Sequence, residues 1–384
     1  MIKAIIGANY GDEGKGLAVN HFTKDGRCLV VRHNGGAQSG HTVEIMPKLY
    51  RNGMEADKRF VFHELSSGSF NGADTYWADT YHPDLYTLEK EYHSFTVNSG
   101  GLTPKIFCSK DTKITLIDDV LLNCFKEKHD RAGSCGMGIW ECVCRNNAGF
   151  SVTVEQVKNL PISALYNLLR EIRDKYSIPK MLKYAQKYKN CDEEFKEMIL
   201  NDTTLFNYVV EIKNNVERVD IIDLGELFDK YDDVIFENGQ GLLIDGDLDM
   251  THGTPSKTGL HNINTCLKKY GKTLDEAIYV TRTYLTRHGD GAFKEDNYTR
   301  ILVGEDKTNS YNRWQGAMRI GRFDTIDGLV SRIKKDCPTI EPHILVTHAN
   351  VTAGKIVTNQ DDVDIEQLPF EKIYISDNRF TVKE

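Results

Sequence analysis

Five short aliphatic, largely β-branched runs constrain this chain most: residues 2–6, 28–32, 234–237, 277–283 and 344–347. Runs of this length bounded by turn residues read as strands buried on both faces. The stretches between them are helical or irregular. That alternation predicts an α/β fold, a mainly parallel central sheet with helices on both faces. A chain of 384 residues can carry such a sheet as one large domain spanning residues 1–384. Residues 155–215 differ, being rich in Leu, Lys, Glu and Tyr at helical spacing with Pro161 and Pro179 as punctuation. They predict a helical subdomain inserted within the larger one.

Charge and composition narrow the partners. The formal net charge of −8 argues against nucleic acid or an anionic membrane as the main partner. No run approaches the roughly 18 apolar residues of a spanning helix, and the N-terminus enters a strand pattern without a charged leader and apolar signal core. A cytosolic location is expected. Nine cysteines at irregular spacing suit free thiols in a reducing compartment. Cys135, Cys142 and Cys144 with His129 nearby lack the paired C-x2-C spacing of a zinc site.

The first run breaks directly into GANYGDEGKG, residues 7–16. Measured against the phosphate cradle G-x-x-x-x-G-K-[ST], Gly14 and Lys15 are in place, but Asn9 stands at the first glycine and Gly16 at the hydroxyl. Glycines here let the main chain approach a ligand, and a helix starting near Glu13 aims its positive end and Lys15 at phosphate oxygens. Asp12 and Glu13 need another task. A carboxylate beside a polyphosphate ligates magnesium or takes a proton from the group being phosphorylated.

A second glycine-rich stretch, RHNGGAQSGHTV at 32–43, follows the second run and carries Gln38, Gly40, His41 and Thr42. Histidine can donate a proton or steady a transferring phosphoryl group at neutral pH. Two other classes remain open on these residues: a nucleotide switch that hydrolyses a triphosphate without ligation, and a dinucleotide-binding oxidoreductase. The first leaves His41 without a purpose. The second requires G-x-G-x-x-G after the first strand, and that spacing is absent.

Together, GDEGKG and GGAQSGHTV resemble the adenylosuccinate synthetase family. FHELSSG (62–68), GSCGMGI (133–139), FENGQGLLID (236–245), HGTPSKTG (252–259) and TYLTRHGDGAF (283–293) agree in order, and ISDNR (375–379) is a weaker echo. The resemblance implies a two-step ligation: a nucleoside triphosphate phosphorylates O6 of a 6-oxopurine nucleotide, and the amine of L-aspartate displaces that phosphate. It implies Asp12 as general base and magnesium ligand, with Gly40 also on the Mg2+, and His41 as the group assisting O6 and the γ-phosphoryl. Gly11, Glu13, Gly14, Lys15, Gly16, Gly40 and Thr42 would bind phosphate. Gln38, Ser134, Cys135, Gln240 and Thr258 would bind the nucleotide, and Arg145 would reach across a homodimer interface to the partner's nucleotide. Arg319 and Arg322 would take the carboxylates of L-aspartate.

Departures from the family pattern bear on the substrates. Ala317 and Met318 fall near family arginines, one of which contacts ribose, so a deoxyribose fits the sequence. In VTHANV, 346–351, His348 and Asn350 replace the lysine and aspartate of the family's guanine-reading T-K-x-D. An amide both donates and accepts, which suits adenine as the donor base. These changes resemble the bacteriophage-type branch, 2-aminoadenylosuccinate synthetases, which join L-aspartate to dGMP with an adenine nucleotide. Several members of that branch replace the catalytic aspartate. Retention of Asp12 keeps IMP in play.

Overall fold

The computed structural model describes residues 1–46, 58–131, 133–189, 193–248, 252–304 and 311–384. Its strands are β1 (Ile2–Gly7), β2 (Cys28–Arg32), β3 (His41–Ile45), β4 (Lys58–Phe62), β5 (Asp74–Trp77), β6 (Ile106–Cys108), β7 (Val219–Ile221) and β8 (Asp233–Gly241). The C-terminal half adds β9 (Glu276–Arg282), β10 (Leu285–Arg287), β11 (Arg319–Gly321), β12 (His343–Thr347), β13 (Lys355–Ile356), β14 (Val363–Asp364) and β15 (Ile373–Ile375). Nine of them form one sheet in the order β15-β12-β9-β1-β8-β2-β5-β6-β7. Every pairing in it is parallel. The five aliphatic runs are its central strands. Apolar clusters cover both faces: Ala4, Ile6, Leu29, Val31 and Phe236 point to one, and Ile5, Val30, Ile235, Ile278 and Leu345 to the other. Alternate residues of β1, β2 and β8 thus enter opposite layers, which explains why these strands show no polar face.

The helical stretch comprises helices Val154–Asn159, Ile162–Ile172, Ile178–Tyr188, Glu193–Leu200 and Asp202–Asn215. Thr153 caps the first of them, its hydroxyl accepting from Gln156 N–H while the Gln156 amide oxygen accepts from Thr153 N–H. Val157, Leu165, Leu169, Val209 and Ile212 join Trp77, Phe95, Ile106 and Val219 in one buried cluster. The stretch therefore shares its core with the β5-β6-β7 edge. Asp118–Arg173 at 2.6 Å and Glu141–Lys180 at 2.5 Å fasten it to helices Ile117–His129 and Ile139–Asn147.

The eight described cysteines are free thiols, and Cys191 lies outside the described residues. Among the described residues no group of three or more His, Cys, Asp or Glu is placed to hold a metal ion. No described helix is long and apolar enough to cross a membrane.

Candidate active site

In an open parallel sheet, ligands sit at the carboxyl ends of the strands, where connections leave in opposite directions. Here a cleft of about 1220 Å³ opens where β1, β2, β8, β9 and β12 end. The loop after β1 forms its floor. Gly11, Asp12 and Gly14 have positive φ, 106°, 60° and 100°, and helix α1 (Lys15–Phe22) starts at Lys15. A side chain at Gly14 would strike Thr347 at the end of β12, and one at Gly16 would come within 2.6 Å of the Thr42 carbonyl. Those two glycines therefore let three strand ends converge on the loop.

Glu13 does not face the cleft. It is 1% exposed and lies beneath the loop, accepting from Asn9 N–H at 3.0 Å and Gly11 N–H at 2.8 Å and pairing with Lys15 Nζ at 2.7 Å. Gly7 and Gly241, neighbours across β1 and β8, make room for it, since a Cβ on either would lie 2.5 or 2.6 Å from its carboxylate. The expectation that Glu13 binds phosphate is corrected: it is an internal anion that orders the loop's own N–H groups.

Asp12 does reach the cleft. Its Oδ2 lies 3.0 Å from His288 Nε2, and its carbonyl accepts from Arg282 Nε at 2.5 Å. Burial pushes its pKa up, but the hydrogen bond and charge of His288, with Arg282 and Lys15, hold it at about 2. The carboxylate is ionised at neutral pH. His41 opens β3, its Nδ1 2.5 Å from Glu237 Oε1. Glu237 is fully buried in β8 and also accepts from the Ser67 hydroxyl and Ser67 N–H, with Arg32 at 3.8 Å. Burial pushes Glu237 up; Arg32, His41 and Ser67 overcome it and bring it down to about 2. Burial lowers His41 further than Glu237 raises it, so the imidazole is neutral in the open cleft. Nδ1–H then donates to the Glu237 carboxylate, and Nε2 carries the lone pair.

Three of the residues expected to bind nucleotide leave buried polar atoms without a partner among the described residues: His41 Nε2, both amide atoms of Gln38, and Gln240 Oε1. All three line the cleft. Buried groups of this kind are ordinarily satisfied, and although others lie outside the cleft, such as both ring nitrogens of His33, those facing the cavity are placed to meet a polar ligand. Gly35, at φ 71°, makes room for the Gln38 amide, whose Nε2 would lie 2.5 Å from any Cβ there. Gly40, Thr42, Ser134, Cys135, His348 and Asn350 also line the cleft. Ser134 is held by Asn123 at 3.0 Å, and burial pushes the Cys135 thiol up to about 11, so it stays protonated. Arg379, which ends the C-terminal echo, and Phe380 after it also line the cleft.

Four expected residues point elsewhere. Arg145 is fully buried, bidentate to Asp119 at 2.9 and 3.0 Å, and also donates to the carbonyls of Ile114 and Phe150. In this structure all its donor groups are engaged inside its own subunit, away from the cleft. Thr258 is fully buried, with its N–H 2.9 Å and hydroxyl 3.3 Å from Asp245. It is held by Asp245 and does not wall the cleft. Arg322 donates to Asp362 at 2.6 Å and to the Thr358 carbonyl at 2.8 Å, outside the cleft. Arg319 donates to the carbonyls of Gly291 and Gly289 at 2.9 and 2.6 Å, beside its cross-strand neighbour Arg287. Met318 is buried with Tyr284, Ile320 and Val357.

Glu237, Ser67, Arg282 and His288 were not singled out from the sequence. A carboxylate inside an apolar strand, as in VIFEN, is a usable signal, because a buried charge requires a partner. His288 carries no comparable local signal.

Comparisons with known proteins agree with this geometry. The sequence model of the adenylosuccinate synthetase family matches residues 4–328. Adenylosuccinate synthetase of Petrotoga mobilis is 26% identical over 309 residues, 76% of this chain and 64% of that protein, and the Borrelia turicatae enzyme is 26% identical over 386 residues, 95% and 79%. The chain thus spans a little under two-thirds of the length of the first of these relatives. Among solved structures, fully ligated adenylosuccinate synthetase from Plasmodium falciparum superposes with a TM-score of 0.68 at 21% identity, covering 92% of this chain and 78% of that one. Succinoaminodeoxyadenylate synthetase of cyanophage S-2L, bound to dGMP and dATP, superposes at 0.62 with 12% identity, covering 100% and 95%. A family match over most of the sequence, on a chain whose parallel sheet carries a glycine loop at the mouth of its cleft, leads to one conclusion: this chain belongs to the adenylosuccinate synthetase family.

Proposed function

We propose that this protein is a carbon–nitrogen ligase that joins L-aspartate to C6 of a 6-oxopurine nucleotide, with dGMP as acceptor and ATP or dATP as phosphate donor. The observation that carries the ligase reading is the set of unpartnered buried atoms on His41, Gln38 and Gln240 around a cleft floored by Asp12 and the glycine loop. Asp12, ionised, takes the N1 proton of the purine, which makes O6 the nucleophile toward the γ-phosphorus. His41 faces the transferring group. With Glu237 behind Nδ1, the approach of phosphate oxygens to Nε2 favours the imidazolium, which donates to the phosphoryl oxygens as charge builds. The amine of L-aspartate then attacks C6, forms the C–N bond and expels phosphate with the O6 oxygen. Arg319, which holds the Gly289 and Gly291 carbonyls outside the cleft lining but keeps Nε unpartnered among the described residues, would have to turn toward the cleft to supply the cation for the amino acid's carboxylate.

Magnesium fits this donor set. Asp12 offers an ionised hard oxygen at the cleft, Gly40 offers a carbonyl, and the lack of a multi-carboxylate cage among the described residues suits an ion held mostly by phosphate oxygens and water. When bound, Mg2+ would neutralise charge on the phosphates.

The choice of dGMP and an adenine nucleotide rests on the cleft's base-reading wall, where Asn350 stands in place of a carboxylate, and on Ala317 and Met318 in place of arginines. The S-2L enzyme, bound to dGMP and dATP, provides a precedent within the same fold. Retained Asp12 supports the second reading, IMP with GTP. As in other members of the family, we expect a homodimer in the cytoplasm that uses only small-molecule substrates, with no nucleic acid or membrane partner. The test is incubation with L-aspartate, Mg2+ and ATP, dATP or GTP against IMP, GMP and dGMP, with products identified by mass. Succinyl product from dGMP with ATP or dATP is expected. Product from IMP with GTP alone defeats the substrate assignment, and no succinyl product from any pairing defeats the ligase reading.

A further inference from the structure

We propose that His288 is a positioning residue for Asp12: it fixes one carboxylate oxygen so that the other is presented to the purine N1 edge, an inference that rests on the ligase reading above. An ionised carboxylate can only accept, so the 3.0 Å contact to Oδ2 requires a proton on His288 Nε2. Asp12 is then held at two points by residues distant in sequence, its carbonyl by Arg282 and its side chain by His288. Its backbone is in the left-handed region at φ 60°, so the loop already commits the direction of the side chain. Rotation about its two side-chain bonds remains, and an anchored donor on one carboxylate oxygen restricts it.

The imidazole is carried by a segment built to stay in place. His288 follows β10 directly, and the next turn is clamped by Arg319, whose guanidinium bridges the carbonyls of Gly289 and Gly291. Gly289, at φ 69°, lies against Gly133: a Cβ on it would be 2.3 Å from the Gly133 carbonyl, and one on Gly133 would be 2.4 Å from Asp290 N. Gly291 lies as close to Arg287, whose guanidinium would be 2.1 Å from an added Cβ. The segment therefore connects the Arg287–Arg319 pair to the base that begins the reaction. Proton abstraction is sensitive to sub-ångström placement of the acceptor, which is the role a fixed donor behind Asp12 fills.

Two variants and one spectroscopic measurement test this. His288→Val keeps bulk without a donor, and His288→Gln restores an N–H near the position of Nε2. Loss of a charge-assisted hydrogen bond predicts a fall in kcat of about ten- to a hundredfold for His288→Val, with KM for the mononucleotide nearly unchanged and the melting temperature retained. His288→Gln should recover most of that loss. Unchanged turnover in His288→Val overturns the proposal, as does a His288→Gln variant that is folded yet no better than His288→Val. Independently of activity, 15N spectra of histidine-labelled protein should show His288 protonated at Nε2, with a resonance that moves in Asp12→Ala. A resonance from the opposite tautomer, or one indifferent to Asp12→Ala, overturns the contact. Failure of the wild-type protein to form succinyl product with any nucleotide would instead refute the ligase reading, while the spectra still decide on His288.

Discussion

The two rims of the cleft are built on different terms. On one, residues 7–16 and 38–42 lie close to strand ends, and short loops bring Asp12, Gln38 and His41 to the cavity, while Lys15 turns its ammonium to Glu13 beneath the loop. On the other, the expected groups come from residues 134–145, 258 and 319–322, half of them on long arginine side chains. There, Arg145, Thr258 and Arg322 are tied to Asp119, Asp245 and Asp362, and only Ser134 and Cys135 of the set face the cavity. A short side chain on a glycine-set loop points where its backbone sends it. A guanidinium on a flexible stem points where its nearest carboxylate lies.

The sharpest way to break this contrast is at Asp12. It is both the proton acceptor and a magnesium-facing oxygen in the proposed reaction, so Asp12→Ala should lie at the strong end of general-base effects, roughly 10⁴-fold in turnover. Nucleotide binding, measured by calorimetry, should persist, because the loop is ordered from beneath by Glu13. If Asp12→Ala retained more than a tenth of wild-type turnover, the first rim would have no better claim to chemistry than the second.

Arg145 tests the opposite rim. Removing one partner of a buried ion pair leaves an uncompensated charge, and Arg145→Met should destabilise the fold by about 3–5 kcal/mol. Urea unfolding would register this as a lower midpoint, while KM for the mononucleotide in the remaining folded protein should stay close to wild type. A variant of wild-type stability with a raised nucleotide KM would restore Arg145 to the site.

How much of this was legible in the sequence follows the same division. The five aliphatic runs are strands because they are buried on both sides, and that can be read from composition alone. The outer strands β5, β6, β7 and β15 are three or four residues long, with mixed residues such as DTYW, and too short to show a pattern. Asp12 and His41 were readable because glycines and a following helix announce a phosphate cradle. Glu13 was misjudged because its neighbour's logic was extended to it: alternating backbone sends the two carboxylates to opposite sides of one loop. His288 acquires meaning only through a contact with a residue 276 positions away in the chain, which no local pattern encodes.

Glu237 gives the contrast a pH axis. Its folded pKa, about 2, lies below its ordinary value of 4.5, so the carboxylate's contribution is fully present above about pH 4.5 and is lost as pH falls toward 2. The shift corresponds to stability on the order of 3 kcal/mol at neutral pH. Glu237→Gln should melt lower at pH 7, and its stability should change less than that of the wild type between pH 4.5 and 2, as followed by circular dichroism. Identical acid profiles would mean that Arg32 and Ser67 hold Glu237 no better than water does.

Arg322 should give the smallest effect and the clearest discrimination within the second rim. Its salt bridge to Asp362 is partly exposed, with 22% and 39% of the two side chains open to solvent, and pairs of this kind contribute about 0–1 kcal/mol. Arg322→Ala should therefore shift stability little and leave KM for L-aspartate within about threefold of wild type, because no donor is removed from the cleft. Arg319→Ala differs on both counts. It frees the carbonyls of Gly289 and Gly291, loosens the turn that carries His288, and removes the cation proposed for the amino acid, so KM for L-aspartate should rise and kcat should fall together. Two arginines three residues apart, Arg319 in β11 and Arg322 just beyond it, would then separate by direction alone. Equal losses from both variants would show that Arg322 leaves Asp362 when L-aspartate binds, and that the second rim is completed only by its ligand.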